Sequence, residues 1–207
     1  MFDVVLLIIV VAVPAIVLHE VAHGWVAFKL GDSTAQRAGR LTLNPISHLD
    51  WLGSVLIPGT LFLLYKLGLT PSLMLFGWAK PVPVNFGRLK PLRLGIFLVA
   101  IAGVVVNICL AWVFVQLYKL PALSDWSHIF GWGILLNLTL AVFNMIPIPP
   151  LDGSRVVTAF LPAHLAQAYS RLEPYGLFIV LILLQLGMLR FLYPVISQLA
   201  YLLGVQL

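Results

Sequence analysis

The chain reads as an all-α integral membrane protein, a polytopic helical bundle of about five to six transmembrane helices with a small strand-like or re-entrant element between the first and second core helices. Three observations predict this class. Of the 207 residues, 61% are hydrophobic and only 9% are charged, against about 25% charged in soluble domains, and the mean hydropathy is +1.06. Roughly four or five runs approach the ~20 apolar residues needed to cross hydrocarbon. The stretches between them hold most of the basic residues and much of the proline. So little chain remains outside the spans that residues 1–207 are read as a single domain.

The first span covers about 3–30 and ends at Lys29 and Gly31. It has no basic leader or small-residue cleavage pattern, so it reads as retained structure rather than a signal peptide. The polar stretch 31–50 follows, in which "GRLTLNP" alternates like a strand and closes on the turn signal Asn44-Pro45. Apolar runs at 51–65 and 72–79 are each too short for a confident span, and together they predict a hairpin or re-entrant region, 51–79. "KPVPVNFGRLKPLR" (80–93) is too proline-dense for helix and suits an edge strand. Core helices are expected at 94–118 and 127–161, the second interrupted by "PIPPLDG" (147–153). Irregular backbone at membrane depth is tolerated only where it is buried in protein or lines a cavity. C-terminal helices are expected over 164–206, split at Arg190 and Pro194.

Charge assigns the sides. If 51–79 returns to its starting side, nine of the twelve Lys and Arg residues share one face, and only Lys66, Lys119 and Arg190 fall elsewhere. A single crossing there would erase the bias. The positive-inside rule makes the basic face cytoplasmic, so the net charge of +5 is no argument for a nucleic-acid partner. The one cysteine, Cys109, excludes an intrachain disulfide or a cysteine metal cluster.

Chemistry is concentrated in "LHEVAHG" (18–24). His19 and His23 are four residues apart, so a helix sets them on one face, one turn apart, with Glu20 beside them. Even the lenient insertion scale charges about 2.5–3.5 kcal/mol for a charged residue at mid-span, and a bound zinc accounts for all three groups. Neutral imidazoles ligate the ion, and the glutamate can hold and deprotonate a bound water. His23 lies about 9 Å along the helix from Lys29, at 1.5 Å per residue, so the group is shallow. A catalytic zinc takes three protein ligands. Asp3, Asp32, Asp50, Asp125 and Glu173 sit at ends or in loops, whereas Asp152 lies in the proline-broken turn at a matching depth. Asp152 is the expected third ligand; alone, its Asp-Gly pair would read as a turn.

Together, "LHEVAHG" and "FNMIPIPPLDG" (143–153) resemble the site-2 protease family of intramembrane zinc metalloproteases. "AGVVVN" (102–107) resembles its middle core helix, and "AGRLTLNPISHLD" and "FGWAKPVPVNF" the connecting segments of its compact bacterial branch, which lacks a PDZ domain. The resemblance implies one zinc per chain on His19, His23 and Asp152, Glu20 as general base, and Asn144 and Asn107 as substrate-binding asparagines. Val104 stands where the family commonly has proline. The implied activity is hydrolysis of peptide bonds in or near the transmembrane segments of other membrane proteins, in a bacterial plasma membrane, with the site toward the cytoplasm. A membrane metal transporter and a catalytically inactive helix-binding scaffold are the alternatives. The strand-like segments either add to the edge of an extended substrate or pair with each other. His48 and Asp50 read as solvated loop residues rather than a second metal pair, and Trp51, Trp78, Trp126 and Trp132 as interfacial anchors.

Overall fold

A computed structural model describes residues 6–70 and 77–206 of the chain. The start of the first predicted span, with Asp3, and most of the apolar run 72–79 lie outside the described residues. Helix α1 (Ile8–Lys29) is one apolar rod of 22 residues. Pro14 near its start removes a backbone donor, and the turn before it is π-helical, Ile8–Ala12. Helix α2 (Trp51–Lys66) repeats the device, with a π-helical turn before Pro58. The long central helix α3 (Leu92–Tyr118) has 27 residues, about 40 Å. Helix α4 (Ser127–Asn144) returns antiparallel to it.

The chain then breaks at Met145–Leu151, as the prolines require, and restarts as α5 (Asp152–Phe160) and α6 (Ala163–Ser170). Helices α7 (Glu173–Gln185) and α8 (Leu192–Leu202) follow. The C-terminal break comes earlier than Arg190 and Pro194. It falls at Gly187, which takes a left-handed conformation at φ 65°, a region that glycine enters without penalty. The last two helices meet there at 83°. Among the described residues three helices are long and apolar enough to span a bilayer, or four if the bent pair counts as one, consistent with the expected all-α polytopic bundle. Helix α2 is apolar but shorter than these.

One apolar core joins α1, α3, α4 and α8 through Val11, Ala111, Val115, Ile134, Leu138 and Ile196. Helix α2 has no buried side chain beyond its first turn and presents its apolar surface outward. The segment it opens comes back to its origin: Trp78 N–H donates to Gly53 O at 3.2 Å, Ser54 Oγ donates to Trp78 O, and Lys80 N–H donates to His48 O. These bonds bring Trp78 and Lys80 back beside Gly53 and His48, and Trp78 packs at that junction instead of acting as a free interfacial anchor. The connectors on either side of the hairpin are tied together, Lys90 N–H to Leu30 O and Asn85 N–H to Asp32 Oδ2.

No strand forms among the described residues, which corrects the strand-like reading of the connectors. "GRLTLNP" runs through bends into a 3-10 turn whose start is capped by Asn44. "PVPVN" (81–85) is extended without a ladder, since two of its residues, Pro81 and Pro83, are prolines that lack an N–H. His48 is also corrected: it is 2% exposed, bonded through Nε2 to Thr42 O, while Asp50 caps the start of α2. The two do not form a metal pair.

Candidate metal centre

The helical spacing of α1 sets His19 and His23 on one face, with their Nε2 atoms 3.0 Å apart. Asp152, the first residue of α5, brings Oδ2 to 3.2 Å from His19 Nε2 and 3.3 Å from His23 Nε2. Among the described residues, His19, His23 and Asp152 form a cluster with metal-ligand geometry. Glu20, Asn144 and the three ligand candidates line one cavity of about 330 Å³.

The tautomers follow from the far side of each ring. His19 Nδ1 lies 2.6 Å from Asn107 Oδ1, and His23 Nδ1 lies 2.7 Å from Val99 O. Both partners are oxygens that only accept, so each ring donates from Nδ1 and turns a bare lone pair at Nε2 into the centre. Asp152 Oδ2 is buried and has no hydrogen-bond donor. With both imidazoles neutral, three acceptors converge on a point and no other group among the described residues donates to them, an arrangement that is repulsive without a cation. Two imidazoles and a carboxylate suit zinc, and the tied Nδ1 atoms are the outer-shell bonds that orient zinc-binding histidines.

Packing makes room for this point. Gly103 of α3 faces it, and a Cβ there would stand 2.5 Å from His19 Nδ1 and 2.6 Å from His23 Nε2. Gly153 does the same for Asp152, because a Cβ would lie 2.2 Å from Met145 O, so α5 can begin flush against the end of α4. Glycine is the residue that allows such backbone approach.

Asn144 ends α4 at the cavity wall, with one Nδ2 proton given to Leu140 O at 3.0 Å. Asn107, in contrast, is not placed to meet a substrate. It is fully buried, accepts from His19, and donates to Ala15 O and to Asn137 Oδ1. A substrate-binding role for Asn107 is therefore corrected to orientation of His19. Asn137 passes the chain on to Gly133 O; an asparagine in an apolar span needs a partner, and these two supply each other. Gly103 carried a fainter signal, a small residue one turn before Asn107 on the same face. At the rim, Arg155 bonds Glu173 at 2.6 Å and lies 5.1 Å over the Phe86 ring, a partly exposed pair worth under about 1 kcal/mol.

The family model for peptidase family M50 matches residues 115–187, which include Asp152 but not the two histidines. A Bacillus subtilis protein named "Putative zinc metalloprotease YwhC" is 38% identical over 186 residues, covering 85% of this chain and 78% of its own length. A Methanocaldococcus jannaschii protein named as a "Putative zinc metalloprotease" is 34% identical over 146 residues, 68% of this chain and 63% of its own. "Putative zinc metalloprotease Rip2" of Mycolicibacterium smegmatis is 28% identical over 172 residues, 81% of this chain and 62% of its own. No solved structure gives a significant match. With its paired histidine and aspartate motifs, its apolar helices and these relatives, the chain belongs to the site-2 protease family of zinc metalloproteases, peptidase family M50.

Proposed function

We propose that this protein is an intramembrane zinc endopeptidase that hydrolyses peptide bonds in or near transmembrane segments of other membrane proteins. The observation that carries the reading is the donor-free convergence of His19, His23 and Asp152 beside Glu20 in one cavity. Zinc held there would supply Lewis-acid polarisation of the scissile carbonyl and acidify water. His19 and His23, with their Nδ1 protons fixed, and the Asp152 carboxylate are the residues that would hold the ion. Glu20 takes the proton from the attacking water and returns it to the leaving amine, so water and peptide become a carboxyl and an amine. Asn144, with an uncommitted amide proton and Oδ1 at the cavity wall, binds the substrate backbone.

The site faces the cytoplasm in this reading, supported by the basic connectors that meet on its side of the bundle, and the membrane is a bacterial plasma membrane. Substrate must arrive extended. Along 80–85 the edge offers little to pair with: Lys80, Val82 and Asn85 have committed their N–H groups, Pro81 and Pro83 have none, and only Val84 remains. A transporter would need ligand groups at successive depths, and among the described residues there is one such group.

Co-reconstitution in phosphatidylcholine liposomes with a tagged single-span polypeptide, its apolar helix weakened by Gly-Pro, tests the reading. Glu20→Gln should keep one zinc per chain and lose cleavage. Cleavage retained at the wild-type rate would refute the base, and an inactive, zinc-free wild type would favour the scaffold.

A further inference from the structure

The extended residues Pro81–Val84 cross the cavity, and one of their backbone groups touches the proposed base. Val82 donates its N–H to Glu20 Oε2 at 2.8 Å, while Oε1 has no donor among the described residues. The segment is fixed from several sides. Arg40 Nη2 donates to Lys80 O at 2.6 Å, Lys80 N–H donates to His48 O at 2.9 Å, and Asn85 N–H donates to Asp32 Oδ2 at 2.6 Å. Val82 is itself buried against α1, where Gly24 admits it: a Cβ at Gly24 would stand 2.7 Å from Val82 Cγ1.

Arg40 is 7% exposed and has no acidic partner among the described residues. Its guanidinium is spent on one carbonyl, two residues before the amide that meets Glu20. Burying a cation for a single neutral acceptor is costly, so the placement of Lys80 is what that cost secures. A glutamate has three rotatable bonds, and unless one oxygen is anchored its carboxylate samples several rotamers. An N–H bond to a carboxylate is charge-assisted, short and directional.

We propose that the Val82 N–H, held in place by buried Arg40, is a positioning group for Glu20. It pins Oε2 so that Oε1 stays turned into the cavity, where the proton must be taken and returned. The inference rests on the hydrolase reading above. It adds to it that the proline-flanked connector, outside the two metal motifs, is part of the proton-transfer apparatus.

The test uses the full chain in liposomes with the same tagged polypeptide, recording zinc content, kcat and KM separately. Val82→Pro removes the N–H, and Val82→Ala keeps it. Val82→Pro should retain one zinc per chain and its KM while kcat falls about tenfold or more, a part of the roughly 10²–10⁴-fold that a positioned general base contributes. Val82→Ala should recover most of that loss. A zinc-loaded Val82→Pro with kcat within twofold of wild type overturns the proposal, and so does a Val82→Ala that falls as far as Val82→Pro. Should Val82→Pro fail to fold, Arg40→Gln decides: lowered kcat at constant KM and zinc, restored in part by Arg40→Lys, supports positioning, and unchanged kcat overturns it. Failure of the underlying reading is separate, because the zinc-loaded wild type itself would then cleave nothing.

Discussion

Replacing Gly103 with alanine adds one methyl group at the point where α3 meets the candidate metal ligands His19 and His23. The added Cβ would stand 2.5 Å from His19 Cε1 and Nδ1 and 2.6 Å from His23 Nε2. Ordinary non-bonded contacts sit at about 3.5–4.0 Å, so the rings or the helix must yield by about 1 Å. Helix α3 cannot retreat cheaply, because its buried residues Ala111 and Val115 pack into the core that α1 and α4 share. The imidazoles must then move, and a metal site tolerates only about 0.2 Å in its ligand distances. Overpacking of this kind costs about 1–3 kcal/mol, which expressed at the metal is about 5- to 150-fold in zinc affinity. The assay is competition for zinc against a chelator of known affinity, with thermal unfolding in detergent to find the part of the cost borne by the fold. Gly103→Ala with both wild-type zinc affinity and wild-type thermal stability would refute the packing argument.

Two further outcomes are expected. Asn107→Ala removes the acceptor for His19 Nδ1–H, and loss of such an outer-shell bond should weaken zinc about 10- to 100-fold; equal affinity in the same competition assay would leave Asn107 with only a packing role. The Asp32 carboxyl is pushed up by burial, yet the Thr34 hydroxyl, the Asn85 and Thr34 N–H groups and the Arg88 charge together hold it below its ordinary value of 3.8. A depressed carboxylate stabilises the fold fully above that ordinary value, and the contribution is lost as pH falls below it through the folded value. Chelator-treated Asp32→Asn should therefore be less stable than wild type near neutrality and show a flatter loss of thermal stability on the acid side of pH 4; an unchanged acid slope would contradict the assignment.

The sequence was most informative where its signals are local. Four-residue spacing fixes His19 and His23 on one face, whatever surrounds them. Apolar run length marks α3 and α4 and the end of α1 to within a few residues, and the break expected at 147–153 within 127–161 falls at Met145–Leu151. Composition does not tell a lipid-crossing helix from a short apolar one, and α2, at Trp51–Lys66, is of the second kind by length. Strand-like alternation in the connectors failed for a related reason, since a ladder needs N–H groups and a partner, and Pro81 and Pro83 remove the first.

From sequence alone came the candidate chemistry: the residue types able to hold zinc, a glutamate beside them, and the clustering of basic residues in the connectors. What only the tertiary structure decided is how those groups are aimed. Asn107 and the Val99 carbonyl choose the histidine tautomers, Gly103 and Gly153 let backbone close on the centre, and Val82 meets Glu20. Each of these is a contact between segments far apart in the chain, made by a backbone group or by the absence of a side chain. Such partners have no periodicity and no characteristic residue pattern, so they become visible only when the helices are packed.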